Sequence, residues 1–173
     1  MARIPERIFL VGPMGAGKST IGKALALVLE KPFLDLDEEI VRQSGMSIPE
    51  IFEKESEKGF RRREHEALVS VLRYSAVIAT GGGVVVTPEN LEVMKKSGFV
   101  CYLIADVETQ YLRTSRDNNR PMLATDDRKK RLSDIFCVRD PLYRSVCNAI
   151  IDSGRNSVHE CVEQLKKILA PET

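Results

Sequence analysis

The sequence contains few residues of the types that bind metals through nitrogen or sulfur. Its 173 residues include no tryptophan, two histidines and four cysteines. His65 and His159 lie far apart in the chain, and no two cysteines form a C-x-x-C pair. These spacings argue against a metal site built on His or Cys, and they predict helix-surface histidines and reduced, mostly buried thiols, as in a cytoplasmic protein. The cysteines are Cys101, Cys137, Cys147 and Cys161.

Long apolar runs and an excess of charge of one sign are also absent. Lysine and arginine number 26 and aspartate and glutamate 25, so the net charge of +1 provides no general attraction for nucleic acid or an anionic membrane. No apolar run could span a bilayer, and the first is too short for a signal-peptide core. We therefore expect a cytoplasmic monomer without nucleic-acid or membrane partners. A chain of 173 residues is expected to form one domain, 1–173, with its own core.

A complete phosphate-binding motif stands near the start of the chain. Residues 12–20 read G-P-M-G-A-G-K-S-T, which matches G-x-x-x-x-G-K-[ST] between an apolar segment and a helical pattern. In such a loop, backbone N–H groups point at phosphate oxygens and the following helix adds its positive N-terminal end. Lys18 supplies a charge for the β and γ phosphates, and the hydroxyl of Ser19 can hold Mg²⁺. The motif predicts that the chain binds a nucleoside triphosphate.

Apolar strand-like segments alternate with helical patterns along most of the sequence. This alternation predicts a three-layer α/β/α fold with a five-stranded parallel sheet. Residues 36–73 have no strand pattern and are expected to form a helical insertion. One of its helices should begin at the capping box Ser47–Glu50, and a second should span about 57–73. The predicted strands lie at 7–11, 33–35, 76–79, 99–104 and 149–151.

Polar residues at the carboxyl ends of the strands are the candidates for ligand contacts, because ligands of open parallel sheets gather there. A phosphate-loop enzyme also needs an acid near Mg²⁺, expected on the strand beside the loop. Asp35 and Asp152 both qualify. We favour Asp35, because Asp37 follows with one residue between and could meet an acceptor hydroxyl. Asp37 could equally be the N-cap of the next helix.

Three glycines and a set of arginines suggest an anionic acceptor. Residues 81–83 expose backbone N–H groups without side chains, so a substrate could lie directly against the main chain. Arg61 and Glu64 are spaced to pair at the edge of a buried helix face, and a fixed arginine suits a carboxylate. Arg62 and Arg63 are expected to face solvent.

A polar segment at 114–126 is interrupted by proline and reads as an exposed loop. Its arginines could close over a transferring phosphoryl group and exclude water. Arg120, next to Pro121, is the best candidate. Arg139 is expected just after the helix that contains Leu132.

The combination of motifs resembles the shikimate kinase family, within the nucleoside-monophosphate-kinase-like branch of phosphate-loop proteins. The resemblance covers essentially the whole chain. The motifs that carry it are Gly12–Thr20, Asp35-Leu36-Asp37, Gly59-Phe60-Arg61, Thr80–Gly83, Arg120–Leu123 and Arg139–Arg144.

The resemblance implies ATP-dependent phosphorylation of the 3-hydroxyl of shikimate, in the biosynthesis of chorismate and aromatic amino acids. It implies a substrate-binding region near 37–70 and a lid near 114–127. Asp37 would hold the ring hydroxyls, with Lys18 and Arg120 as its catalytic partners. The residues implied for shikimate are Asp37, Arg61, Gly82, Gly83 and Arg139; those for ATP are Gly15, Ala16, Gly17, Lys18, Ser19, Thr20, Arg113, Arg120 and either Arg155 or Asn156. Mg²⁺ would be held by Ser19, and by Asp35 through water.

Other readings of the sequence remain open. A gluconate-type kinase would share the fold and the phosphate loop, but the set of Arg61, Gly83 and Arg139 favours shikimate. A GTPase-like switch would need a guanine-reading N-K-x-D segment, which the sequence lacks. An inactive regulatory homologue is disfavoured by the presence of Lys18 and Asp37.

Overall fold

Five parallel strands form the centre of the protein, in the order β2-β3-β1-β4-β5. The structure is a computed structural model that describes residues 3–115 and 127–171. The five strands and their parallel pairings confirm the predicted parallel sheet. The strands are β1 (Ile8–Val11), β2 (Phe33–Asp35), β3 (Val77–Ala79), β4 (Phe99–Ile104) and β5 (Ala149–Asp152).

Helices cover both faces of the sheet. Side chains of the central strand β1 alternate between two buried clusters, Ile8 and Leu10 on one face and Phe9 and Val11 on the other. This alternation follows from the two-residue period of a strand and produces the predicted three-layer fold. The helices in the described residues are α1 (Lys18–Leu29), α2 (Leu36–Ser44), α3 (Ile48–Ser70), α4 (Pro88–Ser97), α5 (Val107–Thr114), α6 (Arg128–Val146) and α7 (Val158–Leu169).

Helix α3 contains a kink at the position where the sequence predicts a boundary between two helices. Ser47 caps the first part by accepting a hydrogen bond from the Glu50 amide at 3.3 Å. Ser56 then leaves the helical conformation, with φ 64° and ψ −178°. Across the kink, the Glu55 carboxylate accepts hydrogen bonds from Arg63 Nε at 2.9 and 3.1 Å, so the prediction that Arg63 only faces solvent is wrong.

Helix α6 continues through a proline. The sequence predicts that Arg139 follows this helix, but α6 runs from Arg128 to Val146 with Pro141 inside it. A proline cannot donate to the carbonyl four residues earlier. That carbonyl belongs to Cys137, which is exposed and therefore accessible to water. The helix thus tolerates Pro141 and presents Arg139 from a regular turn.

A buried polar bridge joins α3, α4 and the turn after β3. His65 Nδ1 lies 2.7 Å from Asn90 Oδ1, and Asn90 Nδ2 donates to the Val84 carbonyl at 2.9 Å. Asn90 is fully buried. The prediction that His65 is a plain helix-surface residue is therefore wrong, because a partner distant in sequence binds its ring, whereas His159 is exposed as expected.

Two features of the composition have structural counterparts. Among residues 3–115 and 127–171, no helix combines the length and the apolar character needed to cross a bilayer. All four cysteines are free thiols; Cys101 and Cys161 are buried, but Cys137 is exposed, so fewer are buried than predicted.

A Ser56→Gly variant is expected to unfold with a free energy about 1 kcal/mol higher than that of the native protein. A non-glycine residue in this backbone region costs roughly 1–3 kcal/mol, and glycine's extra freedom in the unfolded chain offsets up to about 1 kcal/mol of the relief. Urea denaturation measures the difference.

The matched control for this variant is Glu53→Gly, at an exposed helical position on the same helix. There glycine should lower the unfolding free energy by about 1 kcal/mol. If Ser56→Gly and Glu53→Gly lower the free energy of unfolding by the same amount, the backbone at Ser56 is not strained.

Candidate functional site

The phosphate loop connects β1 to α1 and curls around the amine of Lys18. Gly15 and Gly17 have φ of 80° and 85°, a left-handed backbone that favours glycine. Lys18 Nζ donates to the carbonyls of Gly12 and Pro13 at 2.7 and 2.9 Å. These two carbonyls hold the ammonium group at the loop without neutralising it.

A cavity of about 300 Å³ opens beside this loop. Its walls combine the loop with residues from the ends of β2 and β3, as the strand-end argument predicts. The lining residues are Gly15, Gly17, Lys18, Ser19, Thr20, Asp35, Asp37, Thr80, Gly81 and Arg113.

Asp35 is held at this cavity by three hydrogen bonds. Its Oδ2 accepts from the Ser19 hydroxyl at 2.7 Å, and its Oδ1 accepts from the amides of Asp37 and Glu38 at 3.0 and 3.3 Å. Asp35 is therefore the N-cap of α2, and the alternative that Asp37 is the cap is wrong. Asp152 instead binds the amides of Gly154 and Arg155, away from the loop.

The sequence predicts that the strand beside the phosphate loop supplies the acid. This prediction is wrong, because β2, which supplies Asp35, is not that strand. The neighbours of β1 are β3 and β4, and β2 lies beyond β3. Strand β3 ends in Thr80, whose hydroxyl donates to the Leu10 carbonyl at 2.8 Å. Asp35 nevertheless binds the Ser19 hydroxyl at 2.7 Å, because α1 packs over both β3 and β2.

Ser19 and Asp35 together form an oxygen-donor pair suited to a hard divalent cation. No group of three or more His, Cys, Asp or Glu side chains in the described part of the chain could hold a metal alone. This composition fits a cation that takes one or two protein oxygens and fills its remaining positions with water and phosphate oxygens.

Four charged side chains converge on the turn formed by residues 81–83. A Cβ built on Gly81 would lie 3.1 Å from Asp37 Oδ1 and 3.2 Å from Glu64 Oε2. At Gly82 the neighbour is Arg139 Nη1, at 3.5 Å. At Gly83 both Nη atoms of Arg61 would lie only 2.4 Å away, so a side chain there would require the Arg61 guanidinium group to move.

The cluster combines two arginines with acidic side chains, and several of these groups are buried. Arg61 Nη1 donates to Glu64 Oε1 at 2.9 Å, which confirms the predicted pair, and Arg61 Nη2 lies 3.2 Å from Glu57. Glu64 is fully buried, and desolvation raises the pKa of its carboxyl. Burial also lowers the pKa of Arg139, and the Arg61 charge lowers it further. A carboxylate bound between these two guanidinium groups would relieve their repulsion.

Glu64 and Met14 line this part of the site, yet the sequence alone did not reveal how deeply they are buried. Glu64 Oε2 and Arg61 Nε are buried without a hydrogen-bond partner in the described part of the chain. Met14 lies against Gly82. The i, i+3 spacing indicates the Arg61–Glu64 pair, but only packing against residues 81–83 buries it.

Arg113 joins the phosphate loop to the loop after β5. Its Nη1 donates to the Gly15 carbonyl at 3.0 Å and its Nη2 to the Ser153 carbonyl at 2.9 Å. A second cavity of about 360 Å³ adjoins it. Asn156 lines this cavity, whereas the side chain of Arg155 is 87% exposed. Ala16, Gly17, Thr20, Ile21, Ser153, Ser157 and Val158 complete the lining.

The sequence-predicted residues thus fall into two adjacent groups. Asp37 belongs to both, because it lines the phosphate cavity and faces Gly81. Arg120 and the main part of the predicted lid lie outside the described residues.

Comparison with known proteins identifies the family. Residues 14–170 match the family model described as Shikimate kinase. The shikimate kinase of Acinetobacter baylyi is 48% identical over 163 residues, which are 94% of this chain and 91% of that protein. That of Thioalkalivibrio sulfidiphilus is 45% identical over 163 residues, with 94% and 86% covered.

Solved structures agree with this assignment. The shikimate kinase from Acinetobacter baumannii in complex with shikimate superposes with a TM-score of 0.92 at 43% identity, covering 96% of this chain and 93% of that one. Deoxyadenosine kinase from M. mycoides shares the fold, with a TM-score of 0.62, 14% identity and coverage of 94% and 98%. A matching family model over nearly the whole chain, relatives above 40% identity and this architecture lead to one conclusion: the chain belongs to the shikimate kinase family.

Proposed function

We propose that this protein transfers the γ-phosphoryl group of ATP to the 3-hydroxyl of shikimate, giving shikimate 3-phosphate and ADP in the biosynthesis of chorismate and aromatic amino acids. The observation that carries this proposal is the position of Asp37, which lines the phosphate cavity and also faces Gly81 beside Glu64. A hydroxyl held by Asp37 would lie between the phosphate loop and the two arginines.

The acceptor is recognised by charge at one end and by hydrogen bonding at the other. Arg61 and Arg139 grip the shikimate carboxylate, which a guanidinium group can bind through two parallel hydrogen bonds. Gly82 and Gly83 line the ring, because their lack of side chains lets it approach the main chain. Asp37 accepts hydrogen bonds from the ring hydroxyls and orients the 3-hydroxyl toward the phosphate cavity.

The donor is held by the phosphate loop, residues Gly15 to Thr20. The cavity between Arg113 and Asn156 takes the adenine, with the exposed side chain of Arg155 next to Asn156 in the chain. Arg120 contacts the phosphates from a lid near 114–127. Residues 1–173 form one domain in this proposal, and the region near 37–70 binds the acceptor.

Positioning and charge account for most of the chemistry. Phosphoryl transfer passes through a loose transition state with negative charge on the equatorial oxygens. Lys18, with Arg120 closing over the site, offsets this charge, and the closed site excludes water that would otherwise hydrolyse ATP. Asp37 aligns the attacking oxygen, and its carboxylate can take the proton that the hydroxyl loses.

A kinase of this type uses ATP together with a divalent cation, and we propose Mg²⁺. The hydroxyl of Ser19 would bind it directly and Asp35 through water, consistent with the oxygen donors 2.7 Å apart at the loop. A cation held there would supply positive charge that offsets the charge of the phosphate groups.

Other assignments have less support. A gluconate-type kinase would not account for the close approach of Arg61 to Gly83, and an inactive homologue would not need Lys18, Asp35 and Asp37 around one cavity. The free thiols and balanced charge support a cytoplasmic monomer without nucleic-acid or membrane partners.

The decisive experiment is ADP release by the purified protein with Mg²⁺-ATP and one acceptor at a time. Shikimate should support turnover and yield a product one phosphate heavier by mass spectrometry, whereas gluconate and AMP should not. Turnover with AMP or gluconate but not with shikimate would overturn the proposal.

Asp37→Asn should lower kcat by a factor on the order of 10²–10⁴, because the amide neither accepts the proton nor attracts the hydroxyl as a carboxylate does. Binding of a non-hydrolysable ATP analogue, measured by calorimetry, should stay close to native. Glu38→Gln, at the exposed adjacent position, is the control and should retain native turnover. Native kcat in Asp37→Asn would remove Asp37 from the reaction.

Arg61→Ala should weaken shikimate binding by about 2–3 kcal/mol, through the loss of a charge-assisted contact. The KM for shikimate measures this, and the KM for ATP should change little. Arg62→Ala removes an adjacent arginine whose side chain is 66% exposed, and it should leave both constants unchanged. Equal KM values for shikimate in the two variants would exclude Arg61 from the carboxylate site.

A further inference from the structure

The side chain of Tyr143 joins the two parts of the acceptor site, although neither the motifs nor the proposed function assigns it a role. It is fully buried on α6, one turn after Arg139. Its hydroxyl donates a hydrogen bond to the Gly82 carbonyl. The Arg139 side chain also lies against Gly82, with Nη1 3.5 Å from the position of a Cβ there, and its charge lowers the pKa of Tyr143 against the larger effect of burial. The phenol and the guanidinium group therefore meet at the backbone of the glycine turn.

The direction of the hydrogen bond to Gly82 is fixed by the groups involved. A carbonyl can only accept, whereas a phenol can donate and accept. The proton of Tyr143 therefore points at the Gly82 carbonyl, and the lone pairs of the phenol oxygen stay available to a donor such as the Arg139 guanidinium group. Burial raises the pKa of Tyr143, which keeps its hydroxyl protonated.

The same contact orients the peptide between Gly82 and Gly83. A trans peptide directs its C=O and N–H groups to opposite sides. With the Gly82 carbonyl held by Tyr143, the Gly83 amide points away from α6. No protein acceptor within residues 3–115 and 127–171 binds that amide. The contact thus presents a backbone donor beside Arg61 and Arg139.

The ring of Tyr143 is immobilised from its other side. It stacks on Tyr102 of β4, with ring centroids 4.9 Å apart. The Tyr102 hydroxyl donates to Asp140 Oδ1 at 2.6 Å, and Arg144 Nε donates to Asp140 Oδ2 at 3.0 Å. These contacts fix α6 to the central sheet and leave the Tyr143 hydroxyl little freedom.

We propose that Tyr143 is a positioning residue for the acceptor: through its hydroxyl it holds Arg139 and the Gly82–Gly83 peptide in the geometry that receives the substrate's carboxylate. The proposal rests on the proposed function for the identity of that substrate. Tyr143 itself touches neither the triphosphate nor the reacting hydroxyl. Its removal should therefore affect acceptor binding far more than the chemical step.

The test compares Tyr143→Phe with Tyr102→Phe. Both remove one hydroxyl from the same stacked pair, but Tyr102→Phe leaves the contacts with Gly82 and Arg139 intact. Tyr143→Phe should raise the KM for shikimate about tenfold, the effect of losing a hydrogen bond that orients a charged group. Its kcat should stay within about twofold of native and its KM for ATP unchanged. Tyr102→Phe should leave all three constants near native.

A double-mutant cycle shows whether Tyr143 acts through Arg139. In an Arg139→Ala background, Tyr143→Phe should raise the KM for shikimate much less than in the native background. Full additivity would overturn the role of Tyr143 in holding Arg139. Equal effects of Tyr143→Phe and Tyr102→Phe, or a parallel rise in the KM for ATP, would reduce Tyr143 to a packing role.

A second substitution covers the case in which Tyr143→Phe does not fold. Replacing Tyr143 with 4-fluorophenylalanine keeps the ring and fills the space of the hydroxyl with an atom that cannot donate a hydrogen bond. The KM for shikimate should then rise as in Tyr143→Phe, since the Gly82 carbonyl loses its donor. A native KM for shikimate in this variant would overturn the proposal. If the native protein does not phosphorylate shikimate, the proposed function is wrong, and so is the role of Tyr143 in it.

Discussion

The acceptor half of the site depends on a close approach between charged side chains and a backbone that carries no side chains. The guanidinium group of Arg61 lies where a Cβ on Gly83 would be 2.4 Å from both of its Nη atoms. Asp37 and Glu64 lie 3.1 and 3.2 Å from the position of a Cβ on Gly81, and Arg139 makes ordinary contact with Gly82 at 3.5 Å. Any larger residue at Gly83 would displace Arg61 from Glu64, whose carboxylate is fully buried. The turn is thus the reference point around which helices α2, α3 and α6 place their charges.

The order of the strands explains why the donor and acceptor halves meet. Strand β3 lies directly beside β1, so the glycine turn that follows β3 adjoins the phosphate loop that follows β1. Asp37, on the first turn of α2, reaches both. Burial holds the charges of the cluster in place: Arg61 donates to Glu64 at 2.9 Å, and Arg139 is buried beside Gly82. Charged groups that are positioned before the substrate arrives reduce the entropy lost on binding.

Sequence reasoning succeeded where a local rule decides the structure. The phosphate loop, the strand ends at Asp35 and Thr80 and the i, i+3 pair of Arg61 with Glu64 all follow from spacing within a few residues. It failed where a distant partner decides. His65 binds Asn90, from a different helix, and Arg139 lies inside α6 because an exposed carbonyl at Cys137 tolerates Pro141. The N-cap of α2 is Asp35 rather than Asp37, because Asp35 Oδ1 accepts from the Asp37 and Glu38 amides; this is a local contact that sequence reasoning missed.

The amino-acid sequence by itself determined the class of fold, the nucleotide-binding loop and most of the residue types that surround the acceptor. These features are encoded in periodicity, in capping residues and in short motifs, all of which act over one or two helical turns. Only the tertiary structure decided which strand adjoins the phosphate loop, how deeply Glu64 is buried and that Tyr143 binds Gly82 beside Arg139. Those outcomes depend on strand order and side-chain packing between segments far apart in the chain, and the energies that set them arise only when the segments meet.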